Sequence, residues 1–183
     1  MSTTATATPV GTWNIDPSHS NVNFQVKHLG IATVRGAFTK FEGTLELTDD
    51  LSTSKAYGTV EVASVDTNED ARDEHLRSAD FFDAENHPKL TFESTEITSV
   101  DDDELEITCD LTIHGVTNEV TFDAEITGTE QDPWGNERVG LEVTGQINRG
   151  EWGMTFNQAL GSGNMLVSDK VKLSLDISAV RQA

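Results

Sequence analysis

The sequence predicts an all-β fold: an antiparallel barrel or sandwich of about eight strands, with one short helical segment over about residues 68–83. Three observations predict it. Apolar and polar residues alternate along most of the chain, as they do when one face of a strand is buried and the other is wet. Clusters of Asp, Ser, Asn and Gly punctuate the alternating runs. One stretch, "ARDEHLRSADFFDAENHPKL" (71–90), breaks the alternation near the middle of the chain.

The elements follow in order. Residues 1–12 contain "MSTTATATPVG", whose Thr/Ala composition reads as a disordered N-terminal arm. Strand patterns then place Val22, Phe24 and Val26 on one face, followed by Leu45–Leu47 and Val60–Val62. Thr67 or Asn68 can cap a helix with Glu69 and Asp70 at its positive end, and Asp73 precedes Arg77 by four residues, the favourable order for an ion pair. Ala71, His75 and Ala79 share one face of that helix, with Leu76 beside them, and Phe81 and Phe82 follow. Pro88 pushes His87 into extended geometry and returns the chain to strand. A helix this short cannot stabilise itself, so it is expected to lie over one end of a barrel as a lid, with both phenylalanines facing inward. Further strand patterns run through Leu90–Phe92, Leu105–Ile113, Val120–Phe122, Val139–Val143 and Val171–Ile177. The turn signals between strands are "DDLSTS", "DDDE", "HGVTN", "DPWGN" and "GSGN". There is no internal repeat or linker, so residues 13–183 read as a single domain.

Charge narrows the function. The chain has 183 residues with 32 acidic against 12 basic, a net charge of −20. That field excludes nucleic acid as a partner, because a phosphate backbone requires clustered Lys and Arg. The acid is spread along the chain, a pattern that suits solubility in strong salt and a halophilic setting. No apolar stretch approaches 18 residues, so stable membrane insertion is not expected. The N-terminus has neither the basic start nor the apolar run of a signal peptide, and a cytoplasmic location is expected. The one cysteine, Cys109, permits no internal disulfide.

Four separated segments carry a family resemblance: "WNIDPSHSNVNFQVKHLGIATVRGAFTKFEGTLEL" (13–47), "SVDTNEDARDEHLRSADFFDAENHPKLTFEST" (64–95), "CDLTIHGVTNEVTFD" (109–123) and "INRGEWGM" (147–154). Together they resemble the YceI family over about residues 13–180. The resemblance implies a lipocalin-like β-barrel with an elongated apolar tunnel. It implies binding rather than catalysis, with a polyisoprenoid or similar long-chain amphiphile as ligand. No cofactor is implied beyond that bound isoprenoid, quinone or other lipid, and a homodimer is an expectation by analogy.

On this reading Phe24, Val26, Phe38, Phe41, Phe81, Phe82, Phe92, Trp152 and Phe156 are the candidate tunnel lining. Without a ligand the same residues would make a solid core. His28, Arg35, Arg72, His75 and Arg149 are candidates for the head group, because an arginine fork suits phosphate and a histidine can donate to a carbonyl or hydroxyl. The competing reading of these arginines is salt bridging, favoured for Arg77 with Asp73. The negative field favours a neutral head over a diphosphate at low salt. An enzyme acting on such a lipid through His19, His28 or His75 is the alternative, and a ligand-free, stress-related structural barrel is a third. The "DPSHS" stretch (16–20) has a turn's composition, there is no G-x-S-x-G elbow, and Cys109 sits in an apolar row as a small core residue. No two histidines have the spacing of a zinc motif, so no metal site is expected, and His114 in "IHGV" reads as a turn residue.

Overall fold

The computed structural model describes residues 9–182. The described residues form eleven strands and one α-helix: β1 (Gly11–Ile15), β2 (Asn21–His28), β3 (Ala32–Phe38), β4 (Phe41–Leu47), β5 (Lys55–Glu61), β6 (Val65–Asp66), α1 (Asp70–Arg77), β7 (Lys89–Ser99), β8 (Glu104–Ile113), β9 (Val116–Gln131), β10 (Glu137–Asn148) and β11 (Val167–Arg181). β1 begins inside the segment expected to be an arm, and residues 1–8 lie outside the described residues. All pairings are antiparallel, and β11 closes the sheet by pairing with both β10 and β1.

Six of the eleven strands are halves of longer ones. β1 and β2 both pair with β11, β3 and β4 with β2 and β1, and β5 and β6 with β4 and β3. The ring therefore has eight strand positions, a closed barrel without free edges along its length. The breaks fall at residues 16–20, 39–40 and 62–64, and they adjoin one another: the Thr39 amide donates to Ser64 O and the Glu61 amide to Lys40 O.

The two ends of the barrel differ. At one end Trp13, 1 % exposed, is packed with Leu45, Leu47, Ile97, Val139 and Ala179 as a solid plug. Its indole N–H donates to Pro9 O at 3.0 Å, and the Arg181 guanidinium lies over its ring. The other end carries α1, the segment 78–88, the β8–β9 hairpin and residues 149–166.

α1 departs from its predicted details. Its N-cap is Glu69, which makes no side-chain cap bond, rather than Thr67 or Asn68. The inward residues are Asp73 and, partly, Leu76 and Arg77; Ala71, His75 and Ala79 are exposed. Buried Asp73 reaches back to accept from the Thr67 amide (2.8 Å) and hydroxyl (2.6 Å). Arg77 therefore does not pair with Asp73; it donates to the carbonyls of Ala63 and Val65. A buried carboxylate is best satisfied by close fixed donors, and that requirement outweighs a surface i,i+4 pair. No helix among the described residues is long and apolar enough to cross a membrane.

At the plugged end Arg138 joins the turn after β1 to the β9–β10 hairpin, donating to Asp16 Oδ2 and Asp132 Oδ2 at 2.9 Å each. The Ser18 hydroxyl, then Arg138 and His19, hold the Asp16 carboxyl well below the usual carboxylate range. Burial pushes Asp132 up, but the Asn136 amide and Arg138 outweigh it and leave the group at about 2. Both folded values lie below the unfolded value of about 3.9. Their stabilisation is thus fully present above about pH 4 and is lost as pH falls through the folded values. Thermal melts of the natural chain and Arg138→Gln should differ by a constant Tm gap above pH 5, and the gap should shrink between pH 4 and 2. A gap that widens toward pH 2 would reject this role for the network.

Candidate functional site

Inside the barrel is a cavity of about 200 Å³, and the surface its wall presents is apolar. The alternation seen in the sequence builds that wall. Ile107, Cys109, Leu111 and Ile113 of β8 face inward, as do Val171, Leu173, Leu175 and Ile177 of β11. The cavity reaches Ile15, Leu45, Ala56 and Leu141 near the plugged end, while Trp13, Leu47, Val139 and Ala179 beyond them are buried without lining it. It is a blind tunnel that stops at the tryptophan plug.

Seven of the nine predicted lining residues, Phe24, Val26, Phe38, Phe41, Phe81, Phe82 and Phe92, lie on its wall. Phe24, Phe38 and Phe82 form an aromatic row with successive centroids 5.6 Å apart, so the covering segment and the barrel wall meet through rings. Trp152 and Phe156 do not line the cavity, a correction to the sequence reading. Trp152 is buried behind the wall, where its indole N–H needs and finds an acceptor, Leu111 O at 2.9 Å. Phe156 packs edge-on against Phe81 and His75 as a second layer, with centroids 5.3 and 5.0 Å away. Composition cannot distinguish an aromatic on the wall from one behind it.

The sequence reading also missed wall residues. Leu111, Ile113, Phe122, Ile147 and Val171 line the cavity and stand in the alternating rows that could have named them. Glycines gave a further signal. Gly36 is paired directly with Phe24, and Gly58 with Phe92. In both cases a Cβ would overlap the partner's ring, so the glycine lets the ring lie flat across the neighbouring strand.

Of the head-group candidates, Arg149 reaches the wall. It is 3 % exposed and donates to Ser168 O (3.0 Å), Met154 O (2.6 Å) and Val167 O (3.4 Å). Burial pulls its pKa down from the ordinary arginine value, and Asp169 pushes back. His28, at the end of β2, and Arg35 are exposed. Arg72 is engaged with the Thr67 hydroxyl and carbonyl at 2.7 Å, and His75 with Asp80 at 2.8 Å. These four do not line the cavity.

The cluster that invites a hydrolase reading is also off the cavity. Asp16, Ser18 and His19 sit on an exposed turn, where one nitrogen, His19 Nδ1, is bonded both to Asp16 Oδ2 (2.7 Å) and to Ser18 Oγ (3.0 Å). A serine relay uses the two ring nitrogens for two different partners, so this geometry does not activate the hydroxyl. The Cys109 thiol faces the cavity, and burial, with Asp110 and Glu119 nearby, pushes it up to about 12. At neutral pH it is therefore a thiol, not a nucleophilic thiolate.

A closed antiparallel barrel around a blind apolar cavity, with a short helical cover, defines a lipocalin-like barrel. The chain belongs to the YceI family: the YceI-like domain model matches residues 13–179. A UPF0312 protein of Staphylococcus aureus is 42 % identical over 162 residues, covering 87 % of this chain and 92 % of that one. Among solved structures, the YceI protein of Campylobacter jejuni is 30 % identical with a TM-score of 0.74, covering 86 % of this chain and 90 % of its own. A polyisoprenoid-binding domain from Saccharophagus degradans, implicated in plant cell wall breakdown, shares the fold at a TM-score of 0.70. It is 14 % identical and covers 93 % of this chain and 98 % of that one.

Proposed function

We propose that this protein binds and carries, without catalysis, a long-chain amphiphile of the polyisoprenoid class, its tail in the barrel cavity. The observation that carries this reading is the blind, apolar-walled cavity of about 200 Å³. It exceeds the roughly 150 Å³ of an engineered apolar cavity that stays dry and takes up benzene. Each buried methylene contributes about 0.8 kcal/mol, so a tail supplies affinity without a strong head-group contact. The polyisoprenoid-binding relative supports the choice of ligand class. The position of His19, His28 and His75 away from the wall weighs against the enzyme alternative. Given the net charge of −20, a neutral head such as a quinone or alcohol is favoured over a diphosphate at low salt.

The test is native mass spectrometry of gently purified protein in high salt, followed by lipid extraction. The expected result is one bound mass that varies in isoprene steps. Cys109→Phe places a ring in mid-tunnel and should lower retained lipid at least tenfold in the folded variant. Undiminished retention would place the ligand elsewhere, and a protein that takes up no added quinone, isoprenoid alcohol or fatty amide would favour the filled, structural barrel.

A further inference from the structure

Outside the cavity, folding brings His114 beside Asp83 and His87, so that three metal-ligating side chains meet. Asp83, His87 and His114, all half-buried, each present a ligand atom within 4.8 Å of the others. Asp83 and His87 are held in one helical turn by the His87 amide, which donates to Asp83 O at 2.8 Å. His114 comes from the β8–β9 hairpin, and its ring meets that of His87 at 5.1 Å. We propose that this trio is a binding site for a late first-row divalent cation, with Zn²⁺ as its best fit.

The surrounding bonds leave the right atoms free. His114 Nδ1 lies 3.2 Å from Trp152 O. A carbonyl cannot donate, so Nδ1 carries the proton and Nε2 keeps a lone pair, the usual outer-sphere arrangement of a metal-bound histidine. The His87 ring has no hydrogen-bond partner among the described residues, and since no buried side-chain nitrogen among them lacks a partner, its ring nitrogens are open to solvent or an ion. It fits closely: a Cβ on Gly115 would lie 2.6 Å from its Cε1, so the hairpin glycine makes room for the ring. Asn86 Nδ2 donates to both oxygens of Asp83, at 3.1 and 2.9 Å, which orients the carboxylate and leaves further lone pairs. His114 and Gly115 both have positive φ, as a two-residue hairpin turn demands. Asn or Asp is the usual first residue of such a turn; histidine there adds a ring that spans from Trp152 O toward His87.

Two imidazoles and one carboxylate suit Zn²⁺ with a fourth position open to water, and disfavour Ca²⁺ and Mg²⁺, which prefer oxygen alone. Contraction of the three ligand atoms to about 3.3 Å apart would match bonds of about 2.0–2.1 Å. The net charge of −20 raises the local cation concentration. The ion would tie the segment that begins with the wall residues Phe81 and Phe82 to the β8–β9 hairpin.

The experiment is calorimetric titration of the chelator-treated full chain with Zn²⁺ in 1 M NaCl, which screens scattered carboxylates. Co²⁺ provides an optical check through the visible band of a four-coordinate ion. The expected result is one Zn²⁺ per chain. Affinity should fall at least thirtyfold in His87→Gln and His114→Gln, and about tenfold in Asn86→Ala; His28→Gln should leave it unchanged. His87→Gln removes no hydrogen bond, so its metal-free Tm should match that of the natural chain, and a loss of binding cannot be ascribed to unfolding. Stoichiometry and affinity unchanged in His87→Gln would assign the metal to surface carboxylates and overturn the proposal, as would no heat above that of His87→Gln.

Discussion

Replacing Arg149 with methionine is expected to lower unfolding stability by about 3 kcal/mol. Methionine conserves much of the volume but none of the donors. The guanidinium serves Ser168 O, Met154 O and, weakly, Val167 O, and it lies 5.8 Å from the centroid of Phe81. Its removal leaves Ser168 O and Met154 O without their donor, at about 1–3 kcal/mol for each that stays buried, while Val167 O keeps its bond from Asn157 Nδ2 at 2.7 Å. Across a chain of this size that amounts to a Tm lower by about 6–12 °C. Arg149→Lys should recover less than half of the loss, because one ammonium on a flexible stem cannot occupy the positions of a planar fork. Urea unfolding of the three proteins measures it. A methionine variant within 1 kcal/mol of the natural chain would show that the carbonyls find water, and would free the arginine for a head-group role. The same change should loosen residues 153–166, so limited proteolysis should cut there first.

Much of this site could be read from the sequence because strand alternation is a direct print of the barrel wall. The rows at 105–113 and 171–177 named inward faces without any structural knowledge. The three broken strands were visible as well, in the phase of the pattern. Trp13 and Ile15 give way to Val22 and Phe24, Phe38 to Phe41 and Leu45, and Val60 to Val65; each is a switch between odd and even inward positions. An extra residue in a strand is what moves a period of two from one phase to the other. The helix was less legible. Its existence followed from the loss of alternation, but its inward face depends on Asp73 finding Thr67, a tertiary contact that outweighs both the cap rule and the surface ion pair. Least legible were long-range convergences. Nothing in "FFDAENHP" and "TIHGV" announces that His87 and His114 meet, because the distance between them is set by how β7, β8 and β9 pair.

Strand pairing also turns the scattered acid into ordered rows, and from this a strong salt dependence is expected. Glu104, Glu125, Glu142 and Asp176 stand directly opposite one another across β8, β9, β10 and β11. Glu106 faces Asp123, and Asp110 faces both Glu93 and Glu119. All are exposed on the outer surface. Side chains in such positions are about 4.5–5.5 Å apart at Cβ, and each opposed like-charge pair is destabilising by about 0.2–1 kcal/mol. The six pairs named here therefore amount to roughly 1–6 kcal/mol when unscreened. The Debye length is about 30 Å in 0.01 M salt and about 3 Å in 1 M, shorter than the spacing within a row. Transfer from 1 M to 0.01 M NaCl should therefore lower Tm, by about 6–12 °C for the middle of that range. Glu125→Lys converts two repulsive pairs in the longest row into attractive ones. It should raise Tm in 0.01 M salt by several degrees and do little in 1 M, where the field it corrects is already screened. Thermal melts of both proteins across the salt series decide the matter. Equal Tm shifts in the two proteins would assign the salt response to burial of apolar surface rather than to these rows, since such an effect does not depend on the charge at residue 125.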